Sequence, residues 1–140
     1  MNAVMGSLRR WGQFFEQKSC FDRSTGVMKR RKPGEVANDI AETLVAMANA
    51  DGGTLVLGIE DDGTPTGYAY PADRLVLLYH AAQNLVIPPL HPRVIHSHLD
   101  DIPVLLFEID WSNDIHQLTD GRYLLRAIKT FRSPRETLWR

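Results

Sequence analysis

The most constraining feature of this sequence is an amphipathic block that runs without a gap into a β-prone block across a pair of glycines. From Glu35 to about Ala50, Val36, Ile40, Leu44 and Met47 recur at three- and four-residue spacing, with Ala37, Ala41, Val45 and Ala48 beside them. Pro33-Gly34 punctuates the start of this helix. Asn49 and Asp51-Gly52-Gly53 end it, since glycine adopts the left-handed backbone that closes helices. Thr54-Leu55-Val56-Leu57-Gly58-Ile59 follows at once, too short for a helix and apolar on both faces, as a buried central strand is. A small, alanine-rich helix face joined so tightly to such a strand predicts a helix packed closely on a sheet.

The rest of the chain supplies further strands and one more helix. Asp61-Asp62-Gly63-Thr64 has turn chemistry, and Thr66-Gly67-Tyr68 reads as the return strand of a hairpin. Pro71 to about Val86 reads as a second helix, broken at Ile87-Pro88-Pro89-Leu90. Arg93–Leu99, Ile102–Ile109 and Arg122–Ile128 read as strands, with residues 110–120 a polar loop. Ser133-Pro134-Arg135-Glu136 carries the cap serine, first-turn proline and glutamate that start a helix. A helix starting so near the last residue leads us to expect that residues 1–140 are one domain at the front of a longer protein. The fold class expected is α/β (α+β): a mixed sheet with two main helices packed on it.

Charge distribution narrows the partners more than the charge total does. The chain has 140 residues, 16 Lys+Arg and 17 Asp+Glu, for a formal net charge of −1. Residues 1–32 hold eight basic against two acidic side chains, a balance of +6. Residues 33–121 hold two against fourteen, −12, and residues 122–140 six against one, +5. Basic ends that converge on one face would offer a polyanion a positive patch. No apolar run reaches the roughly 18 residues that span a bilayer, and the polar start lacks a signal-peptide core, so the expectation is a cytoplasmic protein with no membrane partner. The single cysteine, Cys20, can form neither an internal disulfide nor a thiolate metal cluster.

Several chemistries find no support. There is no G-x-x-x-x-G-K-[ST] phosphate loop, and the order helix, Gly-Gly, strand is the reverse of a dinucleotide-binding turn. His96 and His98 share one face of a strand, near His91, but without a third fixed ligand they read as exposed strand histidines. No serine has nucleophile-elbow context. The run Lys29-Arg30-Arg31-Lys32, just ahead of the first helix and near Arg23, is suited to neutralising phosphates, a contact that supplies affinity and salt dependence. Lys18 near one end and Arg126, Lys129 and Arg132 at the other extend the candidate patch, with Phe131 placed to stack on an unpaired base or to fill the core.

The stretch Ile40 to Gly63, with Ala48-Asn49-Ala50-Asp51-Gly52-Gly53 and Gly58-Ile59-Glu60-Asp61-Asp62-Gly63, resembles the Schlafen/AlbA-like DNA-binding domain family. Phe15-Glu16-Gln17-Lys18 is similar to that family's N-terminal E-F-K strand, and Tyr123-Leu124-Leu125-Arg126 to its C-terminal Y-x-x-R strand. The resemblance implies a domain of a bacterial transcriptional regulator that binds DNA or RNA, needs no cofactor, carries a further C-terminal domain and, by analogy, is a homodimer. It places both basic ends on strands flanking one sheet. Some relatives cut RNA with three carboxylates holding Mg²⁺ or Mn²⁺. Here Glu16 matches the second carboxylate and Glu60 or Asp61 the third, while Trp11 stands at the first. Metal-dependent ribonuclease is therefore one alternative, and a regulatory or oligomerisation module is another.

Overall fold

The computed structural model of the chain describes residues 14–121, 123–124 and 130–131. In chain order it forms β1 (Phe14–Lys18), β2 (Phe21–Asp22), β3 (Lys29–Arg30), α1 (Pro33–Ala48), β4 (Gly52–Leu57), α2 (Ala72–Tyr79), α3 (Ala81–Asn84), β5 (Val86–Ile87), β6 (Arg93–Leu99), β7 (Ile102–Asp110), β8 (Gln117–Leu118), β9 (Tyr123–Leu124) and β10 (Thr130–Phe131). The main sheet has the order β1-β4-β7-β6. β1 and β4 are parallel, joined by a crossover that contains the β2–β3 hairpin and α1, and the other pairs are antiparallel. This is the mixed α+β sheet that the sequence leads one to expect.

Alternation along the strands sorts the core into two clusters. Leu55, Leu57, Leu105, Phe107 and Ile109 face the helices and meet Ile40, Leu44, Met47 and Leu78. Val56, Val104 and Leu106, with Phe15 and Ile95 against them, form a smaller cluster on the opposite face. β4 is buried along its whole length, which is why its sequence reads apolar on both faces. On β1 the register places Glu16 and Lys18 on the helix side and Phe15 and Gln17 on the other.

The helix-to-strand junction shows what its motif residues do. The Asn49 amide donates to the His116 carbonyl, and its oxygen accepts the His116 N–H, both at 2.9 Å. One side chain thus imitates a strand partner and ties the 110–118 segment to the end of α1. Gly52 has φ +80°, and a Cβ there would lie 2.7 Å from the Ile109 carbonyl oxygen, so only glycine lets β4 start against β7.

Four local expectations are corrected. The second helix is broken at His80 into α2 and α3, and Val86-Ile87 is extended and pairs with Gln117-Leu118 inside the segment read as a plain polar loop. The β4 strand ends at Leu57, and Thr66–Tyr68 is not a strand. Instead Ile59 and Pro65 form one bridge, while the Gly58 carbonyl accepts the N–H groups of Thr66 and Gly67. Tyr123-Leu124 pairs with Thr130-Phe131 in a separate ribbon and not on the main sheet, so among the described residues β1 and β9 do not flank one sheet. The strand corrections share one reason: pairing partners are chosen by distant segments, which local pattern does not register. The helix start at Ser133 lies outside the described residues.

Candidate nucleic-acid interface

The basic run near the front of the chain is carried by the β2–β3 hairpin and the turn into α1. Phe21 opposes Arg30 and Asp22 opposes Lys29. The hairpin tip is organised locally: the Ser24 N–H donates to Asp22 Oδ1 at 2.8 Å, and the Gly26 N–H donates to the Arg23 carbonyl at 3.0 Å. The bonds from Ser24 hold the Asp22 carboxyl below the usual carboxylate range. Val27 and Met28, at 64% and 50% exposure, cap this hairpin.

The four consecutive cations do not share one role. Arg31 is a structural residue. Its guanidinium pairs with Asp39 at 2.6 Å and donates to the Ser19 carbonyl at 3.2 Å, while its backbone N–H donates to the Cys20 carbonyl. Arg30 donates to the Ala69 carbonyl and lies over the Tyr70 ring, 5.4 Å from its centroid. Tyr70 in turn donates its hydroxyl to the Arg31 carbonyl at 2.6 Å, and burial pushes that phenol up to about 12. Lys29 and Lys32 are exposed and make no ion pair among the described residues. Lys18, half-buried at the end of β1, precedes the hairpin, and Arg23 is largely exposed within it. Tyr70, which holds two of the arginines, has no signal in the sequence that would single it out.

The acidic candidates fall beside this hairpin and have structural partners. Glu60 is buried, and its carboxylate accepts hydrogen bonds from the hydroxyls of Ser19 and of Thr66, the latter at 2.7 Å, with Arg23 Nε at 3.7 Å. The Gln17 amide donates to the Glu60 carbonyl at 2.7 Å. Asp62 accepts the Thr64 N–H at 2.9 Å and shapes the turn, while Asp61 is exposed. Together Ser19, Phe21, Arg23 and the three acids line a cleft of about 380 Å³. Glu16 sits elsewhere, on the helix side of the sheet opposite Leu55. Among the described residues no three His, Cys, Asp or Glu side chains gather to hold a metal ion. His96 is exposed on β6 with its ring edge-on to Tyr79, 5.7 Å between centroids.

Lys18 thus ends β1, Arg23 and Lys29 lie on the β2–β3 hairpin that follows, and Lys32 immediately precedes α1. Arg126, Lys129 and Arg132 lie outside the residues whose side chains are described. Among the described residues no helix is long and apolar enough to cross a membrane.

Comparison with known proteins agrees with the fold. The sequence model of the family described as Schlafen, AlbA_2 matches residues 12–132. The structure is similar to that of the DIP2311 protein from Corynebacterium diphtheriae, with TM-score 0.67 and 20% identity, covering 93% of this chain and 25% of that one. It is also similar to the N-terminal domain of a protein from Nitrosomonas europaea named for its relation to the ATP-dependent DNA helicase RecG, with TM-score 0.52 and 19% identity, covering 79% of this chain and 70% of that one. The chain spans a quarter of the length of the Corynebacterium protein. No curated protein matches it in sequence.

Proposed function

Since the chain belongs to the Schlafen AlbA_2 family, we propose that it is a nucleic-acid-binding domain that grips phosphates through the β2–β3 hairpin and its flanks. The observation that carries this reading is the exposure of Arg23, Lys29 and Lys32 on one hairpin-to-helix segment whose neighbours, Arg30 and Arg31, are occupied in holding that segment in shape. Rigid backbone carrying unpaired ammonium groups is suited to phosphate oxygens, which ask for charge more than for a fixed fork geometry. Lys18 extends the patch toward the sheet, and Arg126, Lys129 and Arg132 are proposed as further contacts from the C-terminal segment.

In this reading the domain is the front part of a longer bacterial regulator acting in the cytoplasm as a homodimer, and binding requires no cofactor. The name of the Nitrosomonas protein supports a setting in nucleic-acid metabolism. The cleavage alternative gains no support from Glu60, whose carboxylate is occupied by two hydroxyls.

The test is fluorescence anisotropy with single- and double-stranded DNA and RNA across a salt series. Each lost phosphate contact lowers the slope of log K against log salt by about 0.9 for duplex DNA, so Lys29→Ala/Lys32→Ala is expected to lower it by about 2 and weaken all sequences alike. Unchanged affinity and slope in the double variant would sink the hairpin as the phosphate grip.

A further inference from the structure

A second cleft lies at the other end of the sheet, and the nucleic-acid reading does not use it. Lys18 pairs with Leu57 and Gly52 with Asp110, so the start of β4 and the end of β7 are about 17 Å from the end of β1 by strand rise. Here a cleft of about 420 Å³ opens beside Ser112 and His116. His116 is 3% exposed, and both ring nitrogens have partners. Nδ1 lies 2.7 Å from the Pro88 carbonyl oxygen and Nε2 lies 2.7 Å from Ser112 Oγ. A carbonyl can only accept, so these partners assign the proton to Nδ1, which leaves Nε2 as an acceptor for the Ser112 hydroxyl proton.

The surroundings hold this chain of groups in place. Asn49 clamps the backbone of His116 through two hydrogen bonds, the Ser112 N–H donates to the Ala48 carbonyl at 3.0 Å, and the Asp114 N–H donates to Ser112 Oγ at 3.2 Å. Carbonyl, imidazole and hydroxyl joined by two hydrogen bonds, with the hydroxyl on a partly exposed residue at a cleft, is the disposition of an oriented base and its nucleophile. Trp111, 60% exposed, stands at the cleft as an apolar platform. Asp110 and Asp114 line it as well, while the Glu108 carboxylate is taken by Arg93, whose Nε lies 2.9 Å away.

The geometry points to Ser112 as a nucleophile toward activated acyl esters, with His116 as its general base. In the step, the Ser112 Oγ–acyl carbon bond forms and the ester's acyl–oxygen bond breaks. The hydroxyl proton passes to His116 Nε2 and from there to the departing alkoxide or phenoxide. Water then repeats the exchange and releases the carboxylic acid. Two carboxylates in the cleft favour neutral or cationic acyl groups over anionic ones.

The full chain is incubated with p-nitrophenyl acetate while nitrophenolate release is followed, and the acetylated positions are mapped by peptide mass spectrometry. Acetyl on Ser112 is expected, and its loss in Ser112→Ala should remove the corresponding release. His116→Gln should slow acetylation of Ser112 by about 10²-fold, the usual weight of a general base. Ser112→Cys tests the site independently of that variant, its new thiol being expected to react with iodoacetamide faster than the buried Cys20. Three results would each overturn the assignment: acetyl found on lysines but not on Ser112, a release rate untouched by Ser112→Ala, or a thiol introduced at position 112 that reacts no faster than Cys20.

Discussion

Replacing Asn49 by alanine tests whether the asparagine of the helix-to-strand motif is structural. In the folded chain its amide makes two 2.9 Å bonds to the backbone of His116, a residue 3% exposed. Alanine removes both bonds, each worth about 1 kcal/mol net, and strands an N–H and a carbonyl whose burial costs about 1–3 kcal/mol each. Asn49 itself is half-buried, so water recovers part of that cost, and the expected loss is about 2–4 kcal/mol. For a domain of this size that lowers Tm by about 6–12 °C. Urea denaturation with an unchanged m value is the appropriate assay, because it separates stability from compactness. Asn49→Asp should lose at least as much, since a carboxylate keeps the acceptor for the His116 N–H but turns a negative oxygen toward the His116 carbonyl. Nucleic-acid affinity, measured well below the lowered Tm, is expected to stay close to that of the parent. A loss under about 0.5 kcal/mol, within the range of ordinary surface substitutions, together with collapsed affinity, would refute the structural role and make Asn49 a contact residue.

The remaining expectations are briefer. Arg31→Ala should cost about 1–2 kcal/mol, because it breaks a half-buried ion pair with Asp39 and a bond to the Ser19 carbonyl, whereas Lys29→Ala should be neutral in the same denaturant titration. Asp100 and Asp101 form the two-residue turn between β6 and β7 with φ of 51° and 65°, so Asp101→Gly should stabilise by about 1 kcal/mol, read as a raised urea midpoint. Burial pushes the Cys20 thiol from 9.0 up to about 12, so the folded state holds it neutral where the unfolded state ionises it. The thiol's contribution to stability is therefore fully present below pH 9 and falls between pH 9 and 12 by about 4 kcal/mol, and Cys20→Ala should flatten that alkaline decline in pH-dependent unfolding.

Much of the fold could be read directly. The period of Val36, Ile40, Leu44 and Met47 set one helix within two residues of its observed ends, because a long amphipathic stripe has a single way to bury itself. The apolar run after Gly52-Gly53 marked the central strand for the same reason. The functional patch was only half legible. Four adjacent cations look equivalent in a sequence, yet Asp39 and Tyr70, eight and thirty-nine residues away from Arg31, decide that two of them hold the backbone and two remain open to solvent. Glu60 looked like a ligand until Ser19 and Thr66 were found to satisfy it. Ser112 and His116 carried no signal at all, being two polar residues in a polar segment.

What the sequence by itself determined is the material whose energy is local or periodic: the amphipathic helix, the buried strand, the glycine that admits a positive φ, and the segregation of charge into a basic, an acidic and a basic segment. Tertiary structure alone decided which polar groups are engaged and which are open. Hydrogen bonds and ion pairs depend on separations of a few ångströms between residues far apart in the chain. Only in the folded chain do Asp39 and Tyr70 engage Arg31 while Lys29 and Lys32 stay exposed, and only there does Asn49 clamp His116 from 67 residues away.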